Sequence, residues 1–539
     1  YSGGDTEAAG LTSRRASGVI MSNPPVQSTN SRLWRSTFIV SAMTLLSRIA
    51  GLVRDMVFMN LFGAGKLMDA FLVAFKIPNF LRRLFAEGAF SQAFVPVLSD
   101  VRAQRGDDAV RQLINHVAGT LTLIIGSLTA VAMVFSPAII FIFAPGFHDD
   151  AVRFDLAADM LRITFPYLLL ISLTAFAGGI LNSYGRFGAS SFTPVLLNLT
   201  MIACAIWLAP LLTTPIMALA WGVLIAGIVQ LGFQWLPLRQ INLVPRFKPN
   251  FKDPDVKRIL TLMLPAMFGV SVSQINLLLD TILASFLVAG SVSWLYTAER
   301  LTELPLGLIG IAVATVILPT LSTKHAEKSD AEFRATIDWA LKVIFMVGVP
   351  ASLAMGILAE PLLASLFHHG QFDRTDVVKS AMALQALSGG ILAFMLVKVF
   401  APAFYARQDI KTPVRIGIIA MVANMVFNLM LVWHLEHVGL SLASTLSAFL
   451  NAGLLYKGLH EKGIYRFGRH WLKLAVRFAL ANAVMVAVLL AITPDSQWWL
   501  ANQSWSRVGW VLLICAGGAA SYGVALLAVG FRPHELRHH

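Results

Sequence analysis

Charged residues are scarce in this sequence. Only 13% of its 539 residues are Asp, Glu, Lys or Arg, whereas 57% are hydrophobic, and the mean hydropathy is +0.70. A soluble domain usually carries about 25% charged residues, so the composition excludes an ordinary soluble protein. Apolar runs long enough to cross a bilayer recur along the whole chain, as spanning helices require. We therefore predict an all-α polytopic membrane protein.

Several chemical signatures are also rare or absent. The two cysteines, Cys204 and Cys515, lie far apart in apolar segments, so no disulfide framework is predicted. No Gly-rich phosphate loop of the Walker type occurs, which argues against ATP hydrolysis by this chain. His368 and His369, like His434 and His437, lack the spacing of metal ligands. We predict no metal site and no resident cofactor.

Residues 1–30 contain no apolar core of the signal-peptide type. Residues 1–31 are rich in Gly, Ser and Ala, and we predict a disordered tail or an artificial extension there. Residues 534–539 are predicted to be a short C-terminal tail.

The net charge of +13 raises the question of a nucleic-acid partner, but the cations follow the membrane topology. Alternate loops hold about 21 and about five Lys or Arg residues respectively when about fourteen spans are assumed. The positive-inside rule places the richer set, and both termini, in the cytoplasm. No nucleic-acid partner is predicted.

The chain repeats itself after about 220 residues. Pro137 and Gly146 match Pro361 and Gly370 at a spacing of 224. Each copy holds about six spans, an even number, so the copies should be related by an axis along the membrane normal. The predicted organisation is an N-lobe with spans 1–6 at 32–240, a cytoplasmic linker at 241–256, a C-lobe with spans 7–12 at 257–460, and two further spans at 461–533.

Arginines interrupt three of the predicted spans. Arg48 and Arg54 lie in the first, Arg82 and Arg83 in the second, and Arg300 in the eighth. Each arginine facing lipid at a helix centre costs about 2.5 to 3.5 kcal/mol, so even four of these five would cost about 10 to 14 kcal/mol. We therefore predict a wet intramembrane cavity that binds an anionic substrate. A guanidinium group suits phosphate because its planar fork makes two charge-assisted bonds.

Acidic residues accompany these arginines. Arg83 and Glu87 form an i,i+4 pair on the face that also carries Lys76, and Arg300 lies beside Glu299 and Glu303. One interpretation is that such pairs simply hold helices together. The functional interpretation is that Asp55, Glu87 or Glu299 recaptures the arginines after a domain rotation and so releases the ligand. Further buried charges leave a cation or proton site as an alternative use; they are Asp280, Asp338, Lys342 and Lys398.

Three sequence segments resemble the MurJ-type lipid II flippases. The first of the three regions comprises Ser47-Arg48-Ile49-Ala50-Gly51-Leu52-Val53-Arg54-Asp55 and, further on, Asp69-Ala70-Phe71. The second is Pro78-Asn79-Phe80-Leu81-Arg82-Arg83-Leu84-Phe85-Ala86-Glu87-Gly88-Ala89-Phe90-Ser91-Gln92-Ala93-Phe94-Val95-Pro96. The third is Phe404-Tyr405-Ala406-Arg407-Gln408-Asp409-Ile410-Lys411-Thr412-Pro413-Val414. The resemblance extends from about residue 32 to 533. It implies a fourteen-helix member of the multidrug, oligosaccharidyl-lipid and polysaccharide exporter superfamily.

The resemblance also implies a function. Members of this family move undecaprenyl-pyrophosphate-linked disaccharide-pentapeptide, lipid II, from the inner to the outer leaflet of the bacterial cytoplasmic membrane for peptidoglycan synthesis, and so serve cell-wall biogenesis and cell shape. The family's cavity arginines correspond to Arg48, Arg54, Arg82 and Arg300. Supporting or gating residues are predicted at Asp55, Asp69, Lys76, Asn79, Arg83, Glu87, Glu299 and Glu303.

Three further expectations follow from the family. A groove between the last two spans should hold the lipid tail and lead to a portal between spans one and eight. Some members bind sodium in the second lobe, but its ligand set is not recognisable in this sequence. A monovalent cation and the membrane potential are therefore both kept as energy sources. Enzymes of cell-wall synthesis are candidate partners.

Two other function classes are alternatives. An exporter of another lipid-linked oligosaccharide or of drugs would share the fold, although a drug extruder should line its cavity with acidic and aromatic residues rather than arginines. A membrane glycosyltransferase would need convergent carboxylates or a metal on the outer loops. The outer-loop acids do not form such a set; they are Asp149, Asp150, Asp373 and Asp376. We predict a transporter and not an enzyme.

Overall fold

The computed structural model describes residues 27–84, 90–327, 329–502, 504–532 and 535, and these residues form helices without any strand. The α-helices are α1 (Gln27–Phe62), α2 (Lys66–Arg82), α3 (Ser91–Val134), α4 (Ser136–Phe143), α5 (Ala151–Thr164), α6 (Tyr167–Ser183), α7 (Phe187–Ala203), α8 (Met217–Gln240), α9 (Pro254–Ser285), α10 (Ser291–Ala326), α11 (Asp330–Ile357), α12 (Ala359–Leu366), α13 (Arg374–Ser388), α14 (Ile391–Tyr405), α15 (Lys411–Glu461), α16 (His470–Ile492), α17 (Ser496–Ala501) and α18 (Ser504–Ala528). The all-α membrane fold is thereby confirmed.

Nine helical segments within the described residues are long and apolar enough to cross a membrane. Helices α3 and α15 each contain one non-helical residue, Gly106 and Glu436. The two halves of α15 pack against each other, since the Ser447 hydroxyl donates to the Ala420 carbonyl. Fourteen spans stays a prediction.

The helices pack into two groups in chain order. Helix α7 packs on α1 and α8, and α6 packs on α3 and α8; in the second group, α14 packs on α10, α11 and α15. Helix α9 joins the groups by contacting both α3 and α15. Helices α16 and α18 contact each other and lie beside the second group, against α11 and α12.

The boundaries differ slightly from those predicted. Helix α1 begins at Gln27, within the segment predicted as a tail, and α9 begins at Pro254, within the predicted linker. The start of α9 has a clear physical cause. The Asp253 carboxylate accepts hydrogen bonds from the first free backbone amides of the helix, and proline is favoured in the first turn because it has no N–H to satisfy.

The two groups meet through equivalent pairs of residues. The Gly146 amide donates to the Ser285 hydroxyl over 3.0 Å, and the Gln371 amide donates to the Asn60 carbonyl over 2.9 Å. A Cβ atom on Gly146 would lie 2.5 Å from the Ser285 backbone, and one on Gly370, where φ is +58°, would lie 2.2 Å from the Asn60 carbonyl oxygen. Both contacts therefore require glycine. They lie at the ends of the helices that are predicted to face outward.

Candidate functional site

Arg54 is the most buried of the predicted arginines, with 3% of its surface exposed. Its guanidinium donates to the Asp55 carboxylate over 2.7 and 2.9 Å, to Asn198 Oδ1 over 3.0 Å and to the Tyr296 hydroxyl over 2.9 Å. Every nitrogen of the group therefore has a partner. Asn198 is fixed in turn, because its amide donates to the Ser47 carbonyl.

Arg300 reaches the same carboxylate from the second group of helices. Its Nε donates to Asp55 over 2.6 Å, and its Nη1 donates to Glu303 over 2.8 Å. Asp55 is only 1% exposed, whereas the Arg300 side chain is 31% exposed. One buried carboxylate thus holds two arginines, one from α1 and one from α10. The sequence interpretation placed this capture after a domain rotation, but in this state it has already occurred.

Arg48 has a different environment. Its Nη1 donates to the backbone carbonyl of Glu303 over 3.3 Å, and a Cβ atom on Gly307 would lie 1.9 Å from that nitrogen. Glycine at 307 therefore allows the guanidinium to lie against α10. Lys398, on α14, similarly donates to the Leu306 carbonyl over 3.4 Å. Within the described residues neither cation forms an ion pair with a carboxylate.

Helix α2 supplies the remaining polar residues of the predicted site. The Arg82 Nε donates to the Asn79 side chain over 3.2 Å, and the Asn79 amide donates to the Phe75 carbonyl. Lys76 reaches the Thr281 hydroxyl of α9 over 3.4 Å. Glu87, predicted to pair with Arg83, lies outside the described residues.

These residues surround two adjoining cavities. The larger, of about 680 Å³, is lined by six cationic side chains and one carboxylate among the described residues; they are Arg48, Arg54, Arg82, Arg83, Arg300, Lys398 and Glu303. The smaller, of about 220 Å³, shares four of the arginines and adds Lys76, Asn79 and Glu299. The structure therefore brings all four predicted substrate-binding arginines to one cavity, where positive charge exceeds negative.

Asp69 lies elsewhere. It is fully buried and accepts hydrogen bonds from the Gly290 amide over 2.7 Å and from the Ser293 amide and hydroxyl over 2.9 and 2.6 Å. Helix α10 has no side-chain cap of its own, and Asp69 of α2 supplies it. Its place is therefore in the contact between the two groups of helices, not in the cavity wall.

Three residues of the site were not predicted from the sequence. Lys398 was noted only as a further buried charge, although a single cation in the apolar helix α14 is the same signal that marked the arginines. Asn198 and Tyr296 are neutral, so a search for buried charge could not find them. Each contributes through a hydrogen bond to Arg54.

The other buried charges of the second lobe have separate partners. Asp338 pairs with Lys342 over 3.0 Å, whereas Asp280 accepts a hydrogen bond from the Asn428 amide over 2.6 Å. The Oδ1 atoms of Asn424 and Asn428 are buried without a hydrogen-bond partner among the described residues. In this arrangement the Asn428 amide nitrogen, and not its Oδ1, faces the Asp280 carboxylate. No group of three or more His, Cys, Asp or Glu residues that could hold a metal occurs within the residues searched.

An apolar groove lies beside the last helices. It has a volume of about 580 Å³ and is lined by α11 and α16, with Phe345, Leu353 and Phe478 among its residues. The tail groove between the last two spans stays a prediction, as does the portal between spans one and eight.

Comparison with known proteins decides the family. The family model described as lipid II flippase MurJ matches residues 58–507. The chain belongs to the MurJ family. Two relatives cover it almost completely. The probable lipid II flippase MurJ of Vibrio cholerae is 48% identical over 513 residues, which are 94% of this chain and 98% of the relative. The lipid II flippase MurJ of Burkholderia cenocepacia is 40% identical over 505 residues, with 93% and 98% covered.

Solved structures agree with membership of the MurJ family. A lipid II flippase MurJ in an inward closed conformation aligns with a TM-score of 0.77 at 26% identity, covering 90% of this chain and 98% of that one. An inward-facing multidrug resistance MATE transporter of the MOP superfamily aligns with a TM-score of 0.63 at 16% identity, covering 78% and 95%. The second match shows the fold alone. The transporter architecture predicted from the sequence is confirmed.

Proposed function

We propose that this chain moves lipid II from the inner to the outer leaflet of the bacterial cytoplasmic membrane by alternating access. The observation that carries the proposal is a cavity between the two groups of helices that six cations and one carboxylate of the described residues line. Membership of the MurJ family supports the choice of lipid. The chain acts as a transporter without enzymatic chemistry, and both of its termini lie in the cytoplasm.

The pyrophosphate of lipid II binds the arginines of the cavity. Arg48 and Lys398 are the first candidates, because among the described residues they donate only to backbone carbonyls and so retain donors for an anion. Arg82 and Arg300 line the same cavity. A unit charge pair at 4 Å is worth about 4 kcal/mol at an effective dielectric near 20. Two or three such contacts hold the headgroup firmly, so release requires a conformational change.

Asp55 provides the competing anion. It holds Arg54 and Arg300 at once, and a pyrophosphate that approaches Arg300 competes with this carboxylate. Ligand binding would therefore weaken a bond between α1 and α10, which belong to different lobes. Recapture of Arg300 by Asp55 would favour release. Arg54 itself is too deeply bonded to meet the ligand without such a rearrangement.

Closure at the outer end supports loading from the cytoplasmic leaflet. Asp69 joins α2 to α10, and Gly370 lies against Asn60 at the same end. The transport cycle requires these contacts to break while the cytoplasmic ends approach each other.

The energy source is either a monovalent cation or the membrane potential. Asp280, Asn424 and Asn428 are the residues that would hold the cation. Asp280 precedes Thr281, the partner of Lys76 in the smaller cavity. A change of charge at Asp280 would therefore alter the electrostatic environment of Lys76, a cavity residue.

Direct binding of cell-wall synthesis enzymes is also proposed.

The sign of the cavity charge distinguishes a lipid II flippase from a multidrug extruder. A multidrug extruder that binds cationic compounds needs anionic or aromatic partners, whereas this cavity is predominantly basic. An exporter of another pyrophosphate-linked glycan would use the same arginines, so only the transported lipid distinguishes it.

Complementation with leaflet-specific labelling tests the proposal. Cells depleted of their own lipid II flippase would express the wild type, Arg48→Gln, Arg300→Gln or Arg415→Gln. Arg415 is an exposed arginine near the start of α15 and is the matched control. We expect the wild type and the control to restore lipid II in the outer leaflet, and the two cavity variants to fail at equal membrane levels.

Two results would count against the proposal. Absence of rescue by a well-expressed wild type would point to another lipid-linked glycan or to drugs. Full activity of Arg48→Gln and Arg300→Gln would remove the arginine cavity from the mechanism.

A further inference from the structure

A second basic cavity lies at the end of the first lobe that is predicted to face the cytoplasm, away from the central cavity. It has a volume of about 710 Å³ and is bounded by α3, the end of α8 and the linker that follows. Four cations line it, namely Arg111, Arg239, Arg246 and Lys248, and no carboxylate does so among its lining residues. It shares no residue with the central cavity.

The charge of this cavity is not neutralised by the protein. Arg239, Arg246 and Lys248 form no ion pair within the described part of the chain. Arg111 has only a 3.8 Å contact with Asp108, which is fully exposed to solvent, and such pairs contribute little. The nearby acid of the linker, Asp253, is occupied by His116 over 2.6 Å.

The cavity is also held in shape. The Arg246 amide donates to the Asn115 side chain over 2.6 Å, and the Lys248 amide donates to the Asn115 carbonyl over 3.2 Å. A Cβ atom on Gly119 would lie 2.3 Å from the Pro249 nitrogen, so a glycine lets the linker lie directly on α3. The linker backbone that carries Arg246 and Lys248 is thereby fixed before any ligand binds, which reduces the entropy lost on binding.

Apolar residues flank the cations. Trp235 lines the cavity and is 39% exposed. Leu236, its neighbour on α8, is 63% exposed, and Phe247 of the linker, between Arg246 and Lys248, is 50% exposed. Tryptophan is enriched at the membrane–water interface, and exposed apolar residues beside cations suit a ligand with both an anionic group and hydrocarbon chains. A soluble phosphate has no hydrocarbon chain that could contact these apolar residues.

We propose that this cavity binds the phosphate headgroup of an anionic glycerophospholipid of the cytoplasmic leaflet. Arg239, Arg246 and Lys248 contact the phosphate, and the acyl chains run along Trp235 and Leu236. Basic pockets at the cytoplasmic ends of membrane helices are suited to such headgroups. The lipid therefore contacts both α8 and the interlobe linker, which is already held against the first lobe.

Lipid binding to the purified full chain tests this site. Native mass spectrometry in a neutral detergent would measure the affinity for phosphatidylglycerol, with phosphatidylcholine as the uncharged comparison. The test variant carries Arg239→Gln, Arg246→Gln and Lys248→Gln. The control carries Lys411→Gln, Arg466→Gln and Arg469→Gln, three exposed cations of other cytoplasmic segments. Each cation near the surface contributes about a fivefold factor, so we expect a loss on the order of 100-fold in the test variant and less than about fivefold in the control.

The remaining outcomes each decide against the proposal. Equal losses in both variants would mean that any cytoplasmic charge attracts the lipid. Displacement of phosphatidylglycerol by millimolar inorganic phosphate would mean that the cavity binds free phosphate. If the triple variant fails to fold, Arg239→Gln compared with Arg469→Gln gives the same test, and no difference between them would overturn the site.

Discussion

Asp69 and Ser293 lie 224 residues apart and hydrogen bond to each other, with the Ser293 amide and hydroxyl both donating to the Asp69 carboxylate. The same spacing separates Gly146 from Gly370. Asp69 and Ser293 are therefore equivalent positions of the two repeats. Because two equivalent residues contact each other, they lie next to the axis that relates the two lobes. The bond is the central one of the outer contact.

Replacement of Asp69 should open the outer end. In Asp69→Asn the amide group presents a donor where the Gly290 and Ser293 amides also donate, so at least one bond is lost. A charge-assisted hydrogen bond contributes about 1.5 to 3 kcal/mol, which shifts the ratio of the two states about 10- to 100-fold. Ser47→Cys in the cavity wall, in a background of Cys204→Ser and Cys515→Ser, should then react faster with an impermeant thiol reagent added outside the cell.

Asp149→Asn is the control for that experiment, because Asp149 is an exposed acid of a predicted outer loop. Unchanged labelling in both variants would mean that Asp69 does not hold the outer contact closed.

Loss of the Asp55 carboxylate should destabilise the fold more than loss of Arg300. Asp55→Asn leaves the buried Arg54 without its carboxylate and removes one of the two carboxylate partners of Arg300, which costs about 3 to 5 kcal/mol. Arg300→Gln leaves Asp55 bonded to Arg54 and Tyr296, so we expect a cost of about 1 to 2 kcal/mol. Unfolding in detergent measures both. Glu303→Gln, which removes a half-exposed partner of Arg300, should cost less than about 1 kcal/mol. Equal effects of all three substitutions would contradict this ranking.

An alanine at position 307 should displace Arg48. The new Cβ atom would lie 1.9 Å from the Arg48 guanidinium, and because that group ends a flexible side chain, it moves while the helix remains. We expect normal membrane levels and an affinity for lipid II that falls about tenfold, comparable to one charge-assisted hydrogen bond. Gly417→Ala is the matched control, because nothing lies within 4 Å of its added carbon. Lipid II affinity that is the same in both variants would show that the position of Arg48 is unimportant.

The arginines could be predicted from the sequence because their burial in a membrane is costly whatever the details of packing. The same reasoning extends to Lys398. The sequence predicted the position of Asp69 less well than the positions of the arginines. It lies seven residues before Lys76, on the same helical face, but seven residues separate the two by about 10 Å along the axis. The shared helical face therefore predicted the direction in which the Asp69 side chain points, but not its position along the helix axis.

The sequence did not predict the neutral residues of the site or the close backbone contacts made by glycines. Asn198 and Tyr296 bear no charge, so nothing in the apolar segments marks them as partners of Arg54. Gly146 and Gly370 were recognised as equivalent landmarks, but the reason for glycine there is the neighbouring lobe's backbone. That reason depends on three-dimensional contact.

A final prediction concerns the stability of the end of the second lobe that is predicted to face the cytoplasm. Asp409 lies between α14 and α15, where Lys462 and Thr412 donate to its carboxylate. The Lys462 hydrogen bond is the main cause that lowers the pKa of Asp409 to about 2. In the unfolded chain the pKa of an aspartate is about 3.9. The folded state therefore binds the proton less tightly, and the stabilisation is present above about pH 4 and disappears as the pH falls towards 2.

Asp409→Asn should remove this contribution at neutral pH. We expect a loss of about 1 kcal/mol at pH 7, since the carboxylate is partly exposed and solvent screens the pair. The difference between variant and wild type should shrink as the pH falls, because protonation removes the same charge from the wild type. Unfolding in detergent across this range measures it, with Asp107→Asn, at an exposed acid, as the control. A difference that persists at the lowest pH would mean that shape or the cap on Thr412, rather than the charge on Asp409, stabilises this end.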